Sequence, residues 1–197
     1  MCDFTKLEML VLQNIYKFYD YCFNTVEDPR VKDLPLINKP WLVIGIVVMY
    51  LYFVKYKGVA LMKNRQPFKL TKLIIFYNVI QITANFVCST TVLYNTYMYG
   101  GYSLLCEPIP RGDFSPAALI VRNMSYTYFV GKIIDLLDTV FFILRKKNSQ
   151  ITFLHVYHHA LMVLCSYVYI KFYSGGGHPV SLGKYHQGHF VTFLIHL

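Results

Sequence analysis

Two long runs without a single Asp, Glu, Lys or Arg constrain this chain more than anything else in it: one between Lys72 and Glu107, the other between Lys147 and Lys171. A helix of about 20 residues crosses the hydrocarbon core of a bilayer, so each run is long enough to span one. Inside lipid every backbone polar group must be satisfied within the protein, which leaves helices as the natural solution for segments of this kind. Composition agrees, with 55% hydrophobic residues, 15% charged residues and a mean hydropathy of +0.39. The chain reads as an all-α polytopic membrane helix bundle, a single membrane domain over residues 1–197 with about four to five spans.

The first span begins after Pro40 and runs from Trp41, an interfacial anchor, to about Tyr56. A basic loop over 55–72 follows, and a second span opens at Leu73, leaving through a polar stretch around Thr96–Ser103. Gly and Pro mark 100–115 as a loop. A third apolar segment, from about Ala117 to Leu144, has room for one tilted helix or a broken one, and a fourth covers 151–170. Ahead of all these, Phe4, Leu7, Leu10, Val11, Ile15 and Phe18 recur at helical spacing, until Asp28-Pro29-Arg30 and Pro35 break the pattern. The N-terminus lacks the layout of a cleaved signal peptide. Asn123-Met124-Ser125 matches a glycosylation sequon but falls inside the third segment, so it is read as a chance match.

The net charge is +9. The basic residues stand at the ends of apolar spans: Lys55, Lys57, Lys63, Arg65, Lys69 and Lys72 in one loop, Arg145, Lys146 and Lys147 in the next. That placement marks the cytosolic side and attraction to anionic lipid, not nucleic acid. It puts the N-terminus and 100–115 on the opposite, luminal side. Cys2, Cys22, Cys88, Cys106 and Cys165 form no Cys-x-x-Cys pair, so neither a zinc ribbon nor a redox motif is indicated.

Chemistry is concentrated on the third and fourth segments. Lys132, Asp135, Asp138 and Thr139 fall at i, i+3, i+6 and i+7, one face of one helix. A charge at the bilayer centre costs roughly 2.5–3.5 kcal/mol on the insertion scale, so these residues must face the bundle interior and pair, with Lys132 and Asp135 the natural couple. His155, His158 and His159 form His-x-x-His-His in a span with no Asp, Glu, Lys or Arg, again on one face. Two chemistries are open to them: metal ligation, and nucleophilic or acid–base catalysis by neutral imidazole. The other four histidines, His178, His186, His189 and His196, all lie downstream and form no second box, so a di-iron centre is under-supplied with ligands.

Several blocks, in order, resemble the ELO-type fatty-acid elongases, the very-long-chain 3-oxoacyl-CoA synthases. They are Asp28-Pro29-Arg30, Tyr77-Asn78-Val79-Ile80-Gln81, Gly101-Tyr102-Ser103-Leu104 with Cys106, and Lys132-Ile133-Ile134-Asp135-Leu136-Leu137-Asp138-Thr139. The strongest is Phe141-Phe142-Ile143-Leu144-Arg145-Lys146-Lys147-Asn148-Ser149-Gln150 running into Leu154-His155-Val156-Tyr157-His158-His159. The similarity covers about residues 28–177.

The resemblance implies a seven-helix endoplasmic-reticulum protein with six helices in a barrel around an acyl tunnel. It implies condensation of acyl-CoA with malonyl-CoA to a 3-oxoacyl-CoA, CO2 and CoA, through an acyl-imidazole. On that pattern His158 is the acyl acceptor, His155 and His159 orient it or move protons, and Lys132, Asp135 and Asp138 line the same polar centre. Asn78, Gln81, Thr139, Arg145, Lys146 and Lys147 would bind substrate. No metal or cofactor is implied, and the partners are the two CoA esters, the bilayer and other enzymes of the elongation cycle. The tail over 178–197 departs from the family pattern, so the chain is expected to be truncated or divergent after about residue 177. Neither His189 nor Thr192 can be matched to the family's downstream histidine. A membrane di-iron desaturase or hydroxylase, and an inactive scaffold, are the alternatives.

Overall fold

A computed structural model describes residues 3–21, 26–99 and 112–173, and among these there is helix but no strand. The expectations for the 100–111 part of the luminal loop, for Cys2, Cys22 and Cys106, and for the tail with its four histidines lie outside the described residues. Helix α1 covers Asp3–Asp20. Asp28 then caps a short 3-10 turn, Pro29–Val31, its carboxylate accepting from the Arg30 N–H at 2.9 Å. Pro sits at the first helical position of that turn, where its missing N–H is no loss.

The first spanning rod is continuous from Pro40 to Met62, built from α2 (Pro40–Tyr52), a π-helical stretch (Phe53–Lys57) and α3 (Gly58–Met62). It therefore runs past the expected end near Tyr56, and half of the expected 55–72 loop is helix. Charge misplaced that boundary: Gly58-Val59-Ala60-Leu61-Met62 is apolar, and long lysine stems let Lys55 and Lys57 carry their amines to the interface from within a helix. Gly58 lets the chain pack closely here: a Cβ there would lie 3.0 Å from Phe53 Cε1 and 3.1 Å from Ile143 Cδ1, so both side chains would have to give way. Helix α4 covers Thr71–Leu93 and passes into a π-helical end, Tyr94–Tyr99.

The third apolar segment is a broken helix. Ser115 caps α5 (Pro116–Ile134), accepting from the Ala118 N–H at 3.3 Å. Asp135 is a turn residue, and α6 (Leu136–Leu144) continues beyond it. Helix α7 (Phe153–Tyr173) is capped by Thr152, whose hydroxyl accepts from the His155 N–H at 3.1 Å. Among the described residues three helices are long and apolar enough to cross a membrane: Pro40–Met62, Thr71–Leu93 and Phe153–Tyr173. The α5–α6 rod, with Arg122, Lys132, Asp135 and Asp138, is less apolar yet runs between the same two ends of the bundle. Near its start, Arg30 Nη1 donates to the Asp113 carbonyl at 3.3 Å and Arg122 Nη1 to the Arg30 carbonyl at 2.7 Å. At its finish the Leu144 carbonyl accepts from the Phe68 N–H at 3.0 Å. The core between α2, α5, α6 and α7 is held by Val43, Val47, Phe129, Ile143, Val163, Tyr167 and Ile170. The sequon lies on α5, with Ser125 buried.

Candidate active site

The break at Asp135 does not scatter the expected charged face. Lys132 Nζ donates to Asp135 Oδ2 at 2.7 Å, with the lysine side chain 5% and the aspartate 17% exposed. The ammonium also stands 4.9 Å over the Tyr128 ring. Gln81, from α4, donates to the other Asp135 oxygen and to the Tyr77 hydroxyl at 3.4 Å. Asp135 is thus the point where α4 is tied to the α5–α6 junction. Tyr77 also reaches the Ile134 carbonyl at 3.3 Å, packs edge-on against Phe141 with ring centres 5.3 Å apart, and lies close to the half-buried Asp138. Asn78 is half-buried next to Tyr77. Lys132, Asp135, Asp138, Tyr77 and Gln81 therefore form one polar centre from two spans, as charges at membrane depth require.

The histidines lie on α7 and are joined to α6 through Thr139. His155 and His159, one helical turn apart, have ring centres 4.4 Å apart, and His158 meets His159 edge-on at 5.9 Å. Their environments differ. His159 is buried, and His155 is half-buried against Phe142 with its Nε2 3.0 Å from Thr139 Oγ1. His158 is the exposed member of the three and lies within the electrostatic reach of Lys132 and Asp135. Thr139, expected to bind substrate, is fully buried and spends its hydroxyl on His155 and on Tyr50, 2.8 Å away. In this structure it belongs to the support of the histidines. Among the described residues no three His, Cys, Asp or Glu side chains converge as metal ligands would.

The basic residues expected to hold substrate gather at one end. Lys146 and Lys147 are exposed and Arg145 is half-buried. Lys55, Lys63 and Lys146 edge an open groove of about 480 Å³ whose floor includes Val59, Ala60, Met62 and Ile143.

Sequence reasoning passed over three residues that matter to this arrangement. Tyr50 carried no signal, being one of 18 tyrosines and lying on an apolar helix. Glu27 carried no reading, and Lys171 only marked the end of the second uncharged run. In the structure Lys171 is 1% exposed, with Nζ 3.0 Å from Glu27 Oε1 and 3.3 Å from the Ile37 carbonyl.

The family described as ELO: GNS1/SUR4 matches residues 35–183. Very long chain fatty acid elongase 4 of Mus musculus is 40% identical over 162 residues, covering 81% of this chain and 50% of the relative. Elongase 7 of Rattus norvegicus is 39% identical over 173 residues (86% and 58%), and elongase 7 of Drosophila melanogaster 35% over 173 residues (86% and 49%). The chain spans about half the length of the curated relatives it matches.

Proposed function

The chain belongs to the ELO, or GNS1/SUR4, family, and on that premise we propose that it is a fatty acid elongase that joins a long-chain acyl-CoA to malonyl-CoA in the endoplasmic-reticulum membrane. A His158 ring nitrogen attacks the thioester carbonyl, the C–S bond breaks, and CoA leaves as the thiol with the proton given up by the imidazole. Loss of CO2 from malonyl-CoA leaves a carbanion that attacks the acyl-imidazole carbonyl. The new C–C bond forms as the C–N bond breaks, the departing His158 nitrogen takes up a proton from solvent to restore the neutral imidazole, and the product is a 3-oxoacyl-CoA two carbons longer. Splitting the condensation in this way turns one hard step into two easier ones.

One observation carries the choice of nucleophile. Of the three clustered histidines, His155 is held by Thr139 and His159 is buried, while His158 is the exposed one. The grouped cations at the 63–70 and 145–150 end suit the phosphates of CoA arriving from the cytosol. The reaction needs no metal or cofactor. Other enzymes of the elongation cycle are the partners that would supply its substrate and consume its product.

The test is intact-protein mass after incubation with a long-chain acyl-CoA. Wild-type protein should gain one acyl group, and His158→Ala should lower adduct yield at least about a hundredfold, as loss of a nucleophile does. An adduct at full yield in His158→Ala, or none on the wild-type protein, rejects this reading.

A further inference from the structure

Tyr50 lies on α2, outside the helices that carry the charged face and the histidines, and is 6% exposed. Its hydroxyl is 2.8 Å from Thr139 Oγ1 on α6, which is 3.0 Å from His155 Nε2 on α7. We propose that Tyr50 is a positioning residue that fixes the tautomer and ring orientation of His155 through Thr139. The proposal rests on the histidine cluster being the reacting centre, and it ties a residue of the Pro40–Met62 rod to that cluster.

The direction of the two hydrogen bonds follows from counting protons. A buried phenol must place its one proton on an acceptor. Among the described residues the partner found for Tyr50 Oη is Thr139 Oγ1, so tyrosine donates and threonine accepts. Thr139 then has its own proton to place, and His155 Nε2 lies in reach to accept it. A neutral imidazole has one protonated and one bare nitrogen. Nε2 is the bare one, and His155 is the Nδ1–H form.

Both bonds are shielded, since Thr139 is fully buried, so water does not readily substitute for either donor. The orientation is passed on by packing: the His155 ring lies 4.4 Å from that of His159, which in turn packs edge-on against His158. Which nitrogen of a clustered histidine bears the proton decides whether it can accept or give one in the direction the reaction needs.

The experiment is two-bond proton–nitrogen correlation NMR on the full chain, labelled at histidine and held in detergent micelles at mildly alkaline pH, where imidazoles are neutral. His155→Gln assigns the resonance by its disappearance. Wild-type protein should show His155 with Nδ1 protonated and Nε2 bare. Thr139→Val should shift His155 toward the Nε2–H form, Thr139→Ser should keep the wild-type pattern, and Tyr50→Phe should give a mixture of the two. Acyl capture should slow about tenfold in Thr139→Val and Tyr50→Phe, the effect of one lost hydrogen bond, and recover in Thr139→Ser.

A wild-type His155 protonated on Nε2 overturns the proposal without any variant having to fold. So does a wild-type pattern that persists in both Thr139→Val and Tyr50→Phe. Absence of an acyl adduct on the wild-type protein counts against the elongase reading and leaves the tautomer assignment to stand or fall on its own spectrum.

Discussion

Asp28 and Arg30 are each 1% exposed, and they satisfy one another almost completely. Arg30 places Nε 2.9 Å from Asp28 Oδ1 and Nη2 2.6 Å from Oδ2, a two-pronged pairing that a lysine could not reproduce. Removing the acid leaves the guanidinium buried with its charge uncompensated, which costs about 3–5 kcal/mol. Asp28→Asn should therefore lower the melting temperature sharply in detergent. Asp28→Asn combined with Arg30→Gln should fall well short of the sum of the two single losses, since the residues share one interaction. Additive losses in a thermal-melt series would show that they act independently. The tripeptide Asp-Pro-Arg was visible in the sequence as a break in the amphipathic pattern. Its task was not, because the neighbours that complete it, Asp113, Arg122 and the Lys171 backbone, come from far along the chain. The Lys132–Asp135 pair was legible for the opposite reason: an i, i+3 spacing in an apolar helix leaves two opposite charges little choice.

The end of α6 carries an unusual choice of residue. Lys146 has φ 55°, and the Lys147 N–H bonds to Phe142 O at 2.9 Å while the Lys146 N–H bonds to Ile143 O at 3.0 Å. This is the Schellman pattern, whose left-handed position glycine normally fills. A side chain there costs about 1 kcal/mol, and its amine edges the basic groove. Lys146→Gly should raise stability by about that amount and at the same time weaken binding of CoA, measured by calorimetric titration. A glycine variant no more stable than wild type would remove the strain argument. Helix positions were largely readable because apolar runs and Pro, Ser and Thr caps announce them. The π-helical stretch at Phe53–Lys57 was not, nor was the place, Asp135, of the break for which the third segment left room. Both are settled by what packs alongside: Ile143 against Gly58, and Gln81 and Lys132 on the Asp135 carboxylate.

The bundle has two chemically distinct ends. At one, the Phe68 N–H meets the Leu144 carbonyl and Lys146 Nζ reaches the Lys63 carbonyl at 3.5 Å, so the two basic loops form a single surface. At the other, Glu27, Asp28, Arg30, Asp113 and Lys171 come together. Single cysteines placed at Asn64 and Asn148 in an otherwise cysteine-free chain should both react with a membrane-impermeant thiol reagent from the cytosolic side. One at Asp113 should react only after the membrane is opened, and the reverse labelling would overturn the orientation drawn from Lys and Arg placement. The ion-paired knot at this second end also bears on how the protein is made. Tyr167 Oη and Lys171 Nζ both donate to the Ile37 carbonyl, the lysine across a separation of 134 residues. A ribosome adding about 5–20 residues per second leaves the Glu27–Ile37 segment waiting on the order of ten seconds for those partners. Through that interval Glu27 lacks the Lys171 ammonium it pairs with in the finished bundle, so a nascent chain stalled before α7 should expose this region to proteases and quality-control factors that the finished bundle excludes.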